Sequence, residues 1–263
     1  MSEKATVVLV HGAFADASSW NGVIERLHAN DVRVVAPPNP LRGISIDSAY
    51  TASVFEQTPG PVLAVGHSYG GAVITNAADQ AKNVVGLVFV SAFIPDEGEL
   101  LGAVAPTSKD STLSTALVPS QYPADGGTAN EFAIDPAKLH DVFAADLPEH
   151  QTAVMAVTQR PIAEAAFSEP TVGAAWKHLP SWAVVASGDK AIGTDLVRSH
   201  AVRAGAKITE LDGSHVVMVS QPEAVADLIM AAVTATTREP VGAAPAPVSS
   251  PVPFRIQPPF SNA

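Results

Sequence analysis

The apolar positions fall into short blocks of two kinds. Thr6–Val10, Arg33–Ala36, Val62–Gly66, Val84–Ala92, Trp182–Ser187 and Ala206–Leu211 are rich in β-branched residues, and most are apolar at nearly every position. Continuous apolarity, rather than alternation, fits strands covered on both faces, as in a parallel sheet. Between these blocks apolar residues recur at helical spacing. Ser19–Ala29 carries Trp20, Val23, Ile24 and Leu27 on one stripe, and Ser45–Gln57, Ser68–Gln80 and Gly193–Ala204 are predicted as further helices. Ser220, Pro222 and Glu223 fit a capping box ahead of Val225, Leu228, Ile229 and Val233. Strands alternating with helices predict an α/β fold: a doubly wound, mostly parallel sheet flanked by helices.

One segment interrupts the alternation. Pro95 to Leu179 is too long for a loop in a compact domain. It holds helix-like stretches around Pro136–Ala144 and Pro148–Thr158 and a Gly/Pro-containing stretch at Pro119–Thr128. The expected organisation is a core over 1–94 and 180–237, an inserted, mainly helical cap over 95–179, and a tail over 238–263. That tail has seven prolines in 26 residues, which no helix or central strand tolerates. It reads as a disordered or polyproline-II extension, with Phe254, Ile256 and Phe260 as the residues that would anchor it if it docks.

Composition narrows the classes. Apolar residues make up 47% of the 263 and charged residues 16%, enough to bury a sizeable core. There is no cysteine, which removes disulfides, thiolate metal sites and a cysteine nucleophile together. A net charge of −11 argues against nucleic acid and anionic membrane as partners. The start, MSEKATVVLVHG, lacks the apolar stretch of a secretory signal, and the most apolar run, Val84–Ile94, is short of the ~18 residues of a membrane span. A cytoplasmic protein is expected, and assembly as a homodimer stays open.

The chemistry is carried by three places. Gly66-His67-Ser68-Tyr69-Gly70 follows the strand block Val62–Val65 and precedes a helix-like stretch. That is the context of a G-x-S-x-G nucleophile elbow, whose sharp turn holds the serine over the end of the sheet. A serine hydroxyl needs a base. Of the eight histidines, His11 and His67 sit inside motifs, His28 ends a helix, and His140, His150 and His178 fall in the cap segment. His200 lies in a helix that reads as surface. His215 stands in Leu211-Asp212-Gly213-Ser214-His215, a turn between the last strand block and the final helix, where it could reach Ser68. The acid that orients it should follow the preceding strand. Asp189 does so in Ser187-Gly188-Asp189, with Asp96, Asp195 and Asp212 as competitors. An oxyanion needs two backbone N–H donors. Tyr69 is one candidate. The turn after the first strand offers Ala13 as first choice and Phe14 as second.

Together these residues resemble the α/β-hydrolase superfamily. VHGAFADASSW, GHSYGG, SGDKAI and DGSHVVMVSQPEAVADLI resemble its small branch of plant methylesterases, hydroxynitrile lyases and bacterial esterases, over roughly residues 5–236. The resemblance implies Ser68 as nucleophile, Asp189 as acid, His215 as base, and Ala13 and Tyr69 as oxyanion donors. The lyases of that branch carry threonine where this chain has Gly12 and lysine where it has Val216. An apolar Val216 cannot stabilise departing cyanide. Ser68 itself excludes the aspartate-nucleophile relatives.

The expected function is a serine carboxylesterase acting on small to medium uncharged esters or lactones, with no metal or organic cofactor required. Phe132, Phe143, Met155, Phe167 and Trp176, with Phe14 and with Met218 beside the base, suggest an apolar substrate pocket. Lyase or perhydrolase chemistry on the same triad, amide or carbon–carbon hydrolysis, and a non-catalytic ligand-binding module remain alternatives.

Overall fold

The structure is a computed structural model and describes residues 4–237. The expectation for 238–263 lies outside the described residues. Six strands form one parallel sheet: β1 (Thr6–Val10), β2 (Val34–Val35), β3 (Val62–His67), β4 (Val84–Val90), β8 (Ser181–Ala186) and β9 (Lys207–Leu211). Their order is β2-β1-β3-β4-β8-β9. β1, β3 and β8 are buried along their whole length, which is why their sequence shows no alternation. β4 stops at Val90 because Ser91 takes a left-handed φ of 43° that a strand cannot continue.

The core helices are α1 (Asn21–His28), α2 (Ile44–Gln57), α3 (Tyr69–Ala78), α8 (Thr194–Arg203), α9 (Val217–Ser220) and α10 (Pro222–Thr236). α1 packs on α10, and α10 crosses β3, β4 and β8. α2 packs on α3, and α3 lies along β1, β3 and β4. Gly86 of β4 meets Thr236 of α10, while Phe89, three residues on, meets Gly71 of α3. Those odd-numbered steps point to opposite faces of the sheet, so helices cover both. The capping box expected at α10 does not form. Gln221 is the N-cap and makes no side-chain cap, Ser220 bonds back to Val217 O at 3.5 Å, and Glu223 pairs with Arg26 at 3.6 Å.

The insertion between β4 and β8 is less helical than expected. It holds α4 (Leu101–Val104), α5 (Leu139–Phe143), α6 (Glu149–Thr158) and α7 (Ala165–Ser168). It also holds an antiparallel sheet of β5 (Leu117–Ala124), β6 (Gly127–Ile134) and β7 (Ile162–Ala163). The β5–β6 hairpin turns through Asp125 and Gly126, the latter at positive φ. The insertion is tied to the core on two sides. Leu41 O accepts from Ala163 N at 2.9 Å and Arg42 pairs with Glu131 at 2.8 Å. Across from these, Asp195 accepts from Ser108 and from Lys109 N, and Ser111 Oγ donates to Ala191 O. No helix among the described residues is long and apolar enough to cross a membrane.

Candidate active site

β1 has β2 on one side and β3 on the other, so the chain reverses its direction of strand addition there. A crevice opens at the carboxyl ends of strands at such a switch point. The loops after β1 and β3 meet in that crevice, in register through Val10 and Gly66.

Ser68 sits between β3 and α3 at φ 55° and ψ −124°. A non-glycine residue holds such a conformation only when its surroundings impose it. They do: Gly70 lies so close to β1 that a Cβ there would stand 2.5 Å from Val10 O. Ser68 is nearly buried, and its hydroxyl makes no hydrogen bond to the described residues.

His215 follows β9 and is buried. Its Nδ1–H donates to Asp189 Oδ2 at 2.8 Å. Asp189, buried after β8, accepts on its other oxygen from the N–H groups of Ala191, Ile192 and Gly193 at 2.9, 3.0 and 3.4 Å. Those donors fix the orientation of the carboxylate. The competing acids are engaged elsewhere: Asp96 with Lys177, Asp195 with Ser108, and Asp212 with Ser187. With Nδ1 carrying the proton, His215 Nε2 is free to accept, and it is buried with no hydrogen-bond partner among the described residues. Ser68 and His215 line the same cavity. The bond between nucleophile and base is not closed in this structure, and such bonds commonly tighten only around substrate.

Two further histidines hold this geometry. His67 Nε2–H donates to His215 O at 3.0 Å, and the two rings lie 4.7 Å apart, tilted 50° to one another. Burial, reinforced by His215 beside it, holds the His67 pKa well below its ordinary value, so the ring is neutral. His11 accepts from Asn39 N on Nε2 at 2.9 Å, so its proton is on Nδ1, which donates to Gly12 O at 2.9 Å. Burial lowers its pKa from 6.5 to about 4. In a trans peptide the N–H points away from the C=O. Fixing Gly12 O therefore aims the N–H of Ala13 the other way.

Ala13 and Tyr69 both line the cavity, and neither N–H is spent on another acceptor among the described residues. Phe14 N–H is already donated to Arg160 O at 3.0 Å. The free donors are thus Ala13 and Tyr69, and Phe14 contributes its ring to the cavity wall instead. Gly12 leaves no room for a side chain: a Cβ would lie 2.5 Å from Ser68 Cβ and 2.9 Å from His67 O.

The cavity measures about 500 Å³. Phe14, Phe93, Phe132, Phe143, Phe167 and Ile162 are among its walls. Phe14 meets Phe143 edge-on at 6.1 Å, and Phe132 meets Phe167 at 6.3 Å. Three expected pocket residues are elsewhere. Trp176 donates its indole N–H to Pro95 O and stacks under Arg203 and Lys177 on the outer flank. Met218 is fully buried in the core, and Met155 packs against the core without lining the cavity. His200, read as a surface residue, is buried, and its Nδ1 accepts from Ile94 N at 3.1 Å. Phe93 and Ile192, from the loops after β4 and β8, and Leu113, Leu117 and Ile162, from the insertion, extend the lining beyond what the sequence suggests.

A parallel sheet wound in this order, with a serine on a strained turn after its third strand, is the alpha/beta hydrolase arrangement. The chain belongs to the alpha/beta hydrolase family, whose model matches residues 7–228. It is 30% identical over 127 residues to a carbendazim hydrolyzing esterase of Nocardioides sp., a match covering 43% of this chain and about half, 52%, of that relative. An alpha-hydroxynitrile lyase of Arabidopsis thaliana is 27% identical over 262 residues, covering 89% of this chain and 99% of the other. The crystal structure of polyneuridine aldehyde esterase superposes with a TM-score of 0.73 at 19% identity, over 88% of this chain and 99% of that one.

Proposed function

We propose that the protein is a serine carboxylesterase hydrolysing small to medium uncharged esters. One observation carries the reading. His215 donates Nδ1–H to a buried Asp189 at 2.8 Å and keeps Nε2 unspent, and it lines the same apolar cavity as Ser68. Ser68 attacks the ester carbonyl while His215 takes its proton, and the N–H groups of Ala13 and Tyr69 receive the oxyanion. His215 then protonates the leaving alcohol. Water, deprotonated by the same ring, releases the acid from Ser68.

Among the described residues the cavity lining has no lysine or arginine, and its one carboxylate is Glu164. A carboxylate on the substrate would be buried without a counter-charge, so uncharged esters fit best. The esterase among the relatives supports this reading. The lyase among them supports the other chemistry. It is disfavoured here because Val216, the residue after the base, is buried and apolar, and because Gly12 leaves no space for a hydroxylated side chain.

The test is hydrolysis of p-nitrophenyl esters from acetate to laurate by the wild type and Ser68→Ala. Fast wild-type turnover that drops by several orders of magnitude in Ser68→Ala is expected. An equal rate in both proteins would overturn the proposal.

A further inference from the structure

Asp47 is a buried carboxylate that the mechanism above does not use. It lies in the first turn of α2, has no exposed surface, and no basic side chain among the described residues pairs with it. Its Oδ2 accepts the Tyr69 hydroxyl at 2.7 Å and Gly43 N at 3.4 Å, and Arg42 N reaches both oxygens at 3.0 and 3.1 Å. The neighbouring Arg42 guanidinium is turned away to Glu131. An ion in such a place is costly unless something requires it. The amides it gathers belong to Arg42 and Gly43, the two residues directly before α2, and the dipole of that helix start favours a negative charge there.

The partner it selects is the informative part. Tyr69 is the first residue of α3, directly after Ser68, and its backbone N–H is one of the two free donors at the cavity. Its side chain is anchored at the far end by Asp47. The peptide that carries this N–H is held on its carbonyl side, where Ser68 O accepts from Gly71 N at 3.0 Å and from Phe93 N at 3.2 Å, while the N–H itself has no intrahelical acceptor. A ring held at both ends adds a second restraint, on the Tyr69 side of that peptide. Asp47 is thereby fixed to α2 and Tyr69 to α3, and the tether links the two helices across the turn that carries the nucleophile.

The geometry points to Asp47 as a positioning residue that holds the Tyr69 N–H in line for the oxyanion, acting through the Tyr69 hydroxyl. It touches neither substrate nor nucleophile. This rests on the esterase reading above.

The experiment compares Asp47→Ala, Asp47→Asn, Tyr69→Phe and the double variant Asp47→Ala/Tyr69→Phe, with Ser68→Ala as reference. Each is assayed on p-nitrophenyl butyrate, and each is titrated with butylboronic acid, whose tetrahedral adduct on Ser68 places an oxygen where the oxyanion forms. Asp47→Ala and Tyr69→Phe are expected to lower kcat about tenfold with KM little changed, because a small misplacement acts on the transition state alone. Boronate affinity should weaken in parallel. Asp47→Asn, which can still offer an oxygen to the Tyr69 hydroxyl, should recover most of kcat. The double variant should be no worse than the poorer single one, since both cut the same tether. If Asp47→Ala does not fold, Tyr69→Phe and Asp47→Asn still decide the matter. Unchanged kcat and boronate affinity in Tyr69→Phe, with lowered thermal stability, would make the pair purely structural and overturn the inference. So would losses that multiply in the double variant. Turnover that survives in Ser68→Ala would instead defeat the esterase reading itself.

Discussion

Replacing Asp189 with asparagine tests how His215, the proposed base, is held. The carboxylate has two jobs: one oxygen receives three backbone N–H groups and the other receives His215 Nδ1–H. An amide has one oxygen and one NH₂. If the oxygen stays with Ala191, Ile192 and Gly193, the NH₂ faces His215 Nδ1, which must then accept. The imidazole proton moves to Nε2, and the ring can no longer take the proton of Ser68. If the amide flips, its NH₂ confronts three donors in a buried turn, which strands polar groups at a cost of about 1–3 kcal/mol each. The first arrangement is therefore favoured. The wrong tautomer costs about 10⁴ in kcat in triads of this kind, or roughly 5 kcal/mol of barrier. The assay is steady-state hydrolysis of p-nitrophenyl butyrate, with circular dichroism and a melting curve to verify folding. A well-folded Asp189→Asn enzyme with kcat within tenfold of wild type would refute the reasoning.

Two further predictions concern sterics and pH. Gly12→Ala would set a Cβ 2.5 Å from Ser68 Cβ and so displace the Ala13 N–H from the nucleophile. We expect about a hundredfold loss of kcat, with a melting temperature lowered by overpacking; activity within threefold of wild type would contradict the assigned oxyanion loop. Burial holds His11 and His200 at about 4 against an ordinary 6.5, so between those values the unfolded chain binds more protons than the folded one. The stabilisation is full above pH 6.5 and is lost as pH falls toward 4. Two shifts of this size correspond to about 2 kcal/mol per histidine at pH 5, and His67 adds to it with the same sign. Urea unfolding at pH 7.5 and pH 5 measures the difference, and equal unfolding free energies would contradict it.

The parallel sheet was legible because burial on both faces erases alternation, as in β1, β3 and β8. The candidate triad was legible because each member follows a strand in a short turn of small residues. The cap hairpin was not. β5 contains Pro119 and Pro123, which read as loop, yet it is an edge strand whose outer side needs no ladder donors. His200 and Trp176 were misplaced for a related reason. What buries the first is the Phe93–Ile94 turn, and what holds the second at the flank is Pro95 O, both far away along the chain. Asp47 gave no signal, since an aspartate near a helix start usually serves the helix dipole alone. Its tie to Tyr69 spans 22 residues and exists only after α2 and α3 pack.

The bond from His67 to the carbonyl of His215 joins positions 148 residues apart. During synthesis the serine turn leaves the ribosome long before His215 and Asp189, its proposed base and acid. On the proposed mechanism, a nascent chain with β1, β3 and α3 in place carries a hydroxyl that cannot yet be activated, and bond-breaking capacity switches on only when the last third of the chain has docked. Sequence-distant closures of this kind are slow steps in folding. Recovery of turnover on refolding should therefore lag the recovery of helical signal, which makes catalysis a reporter of the final docking step.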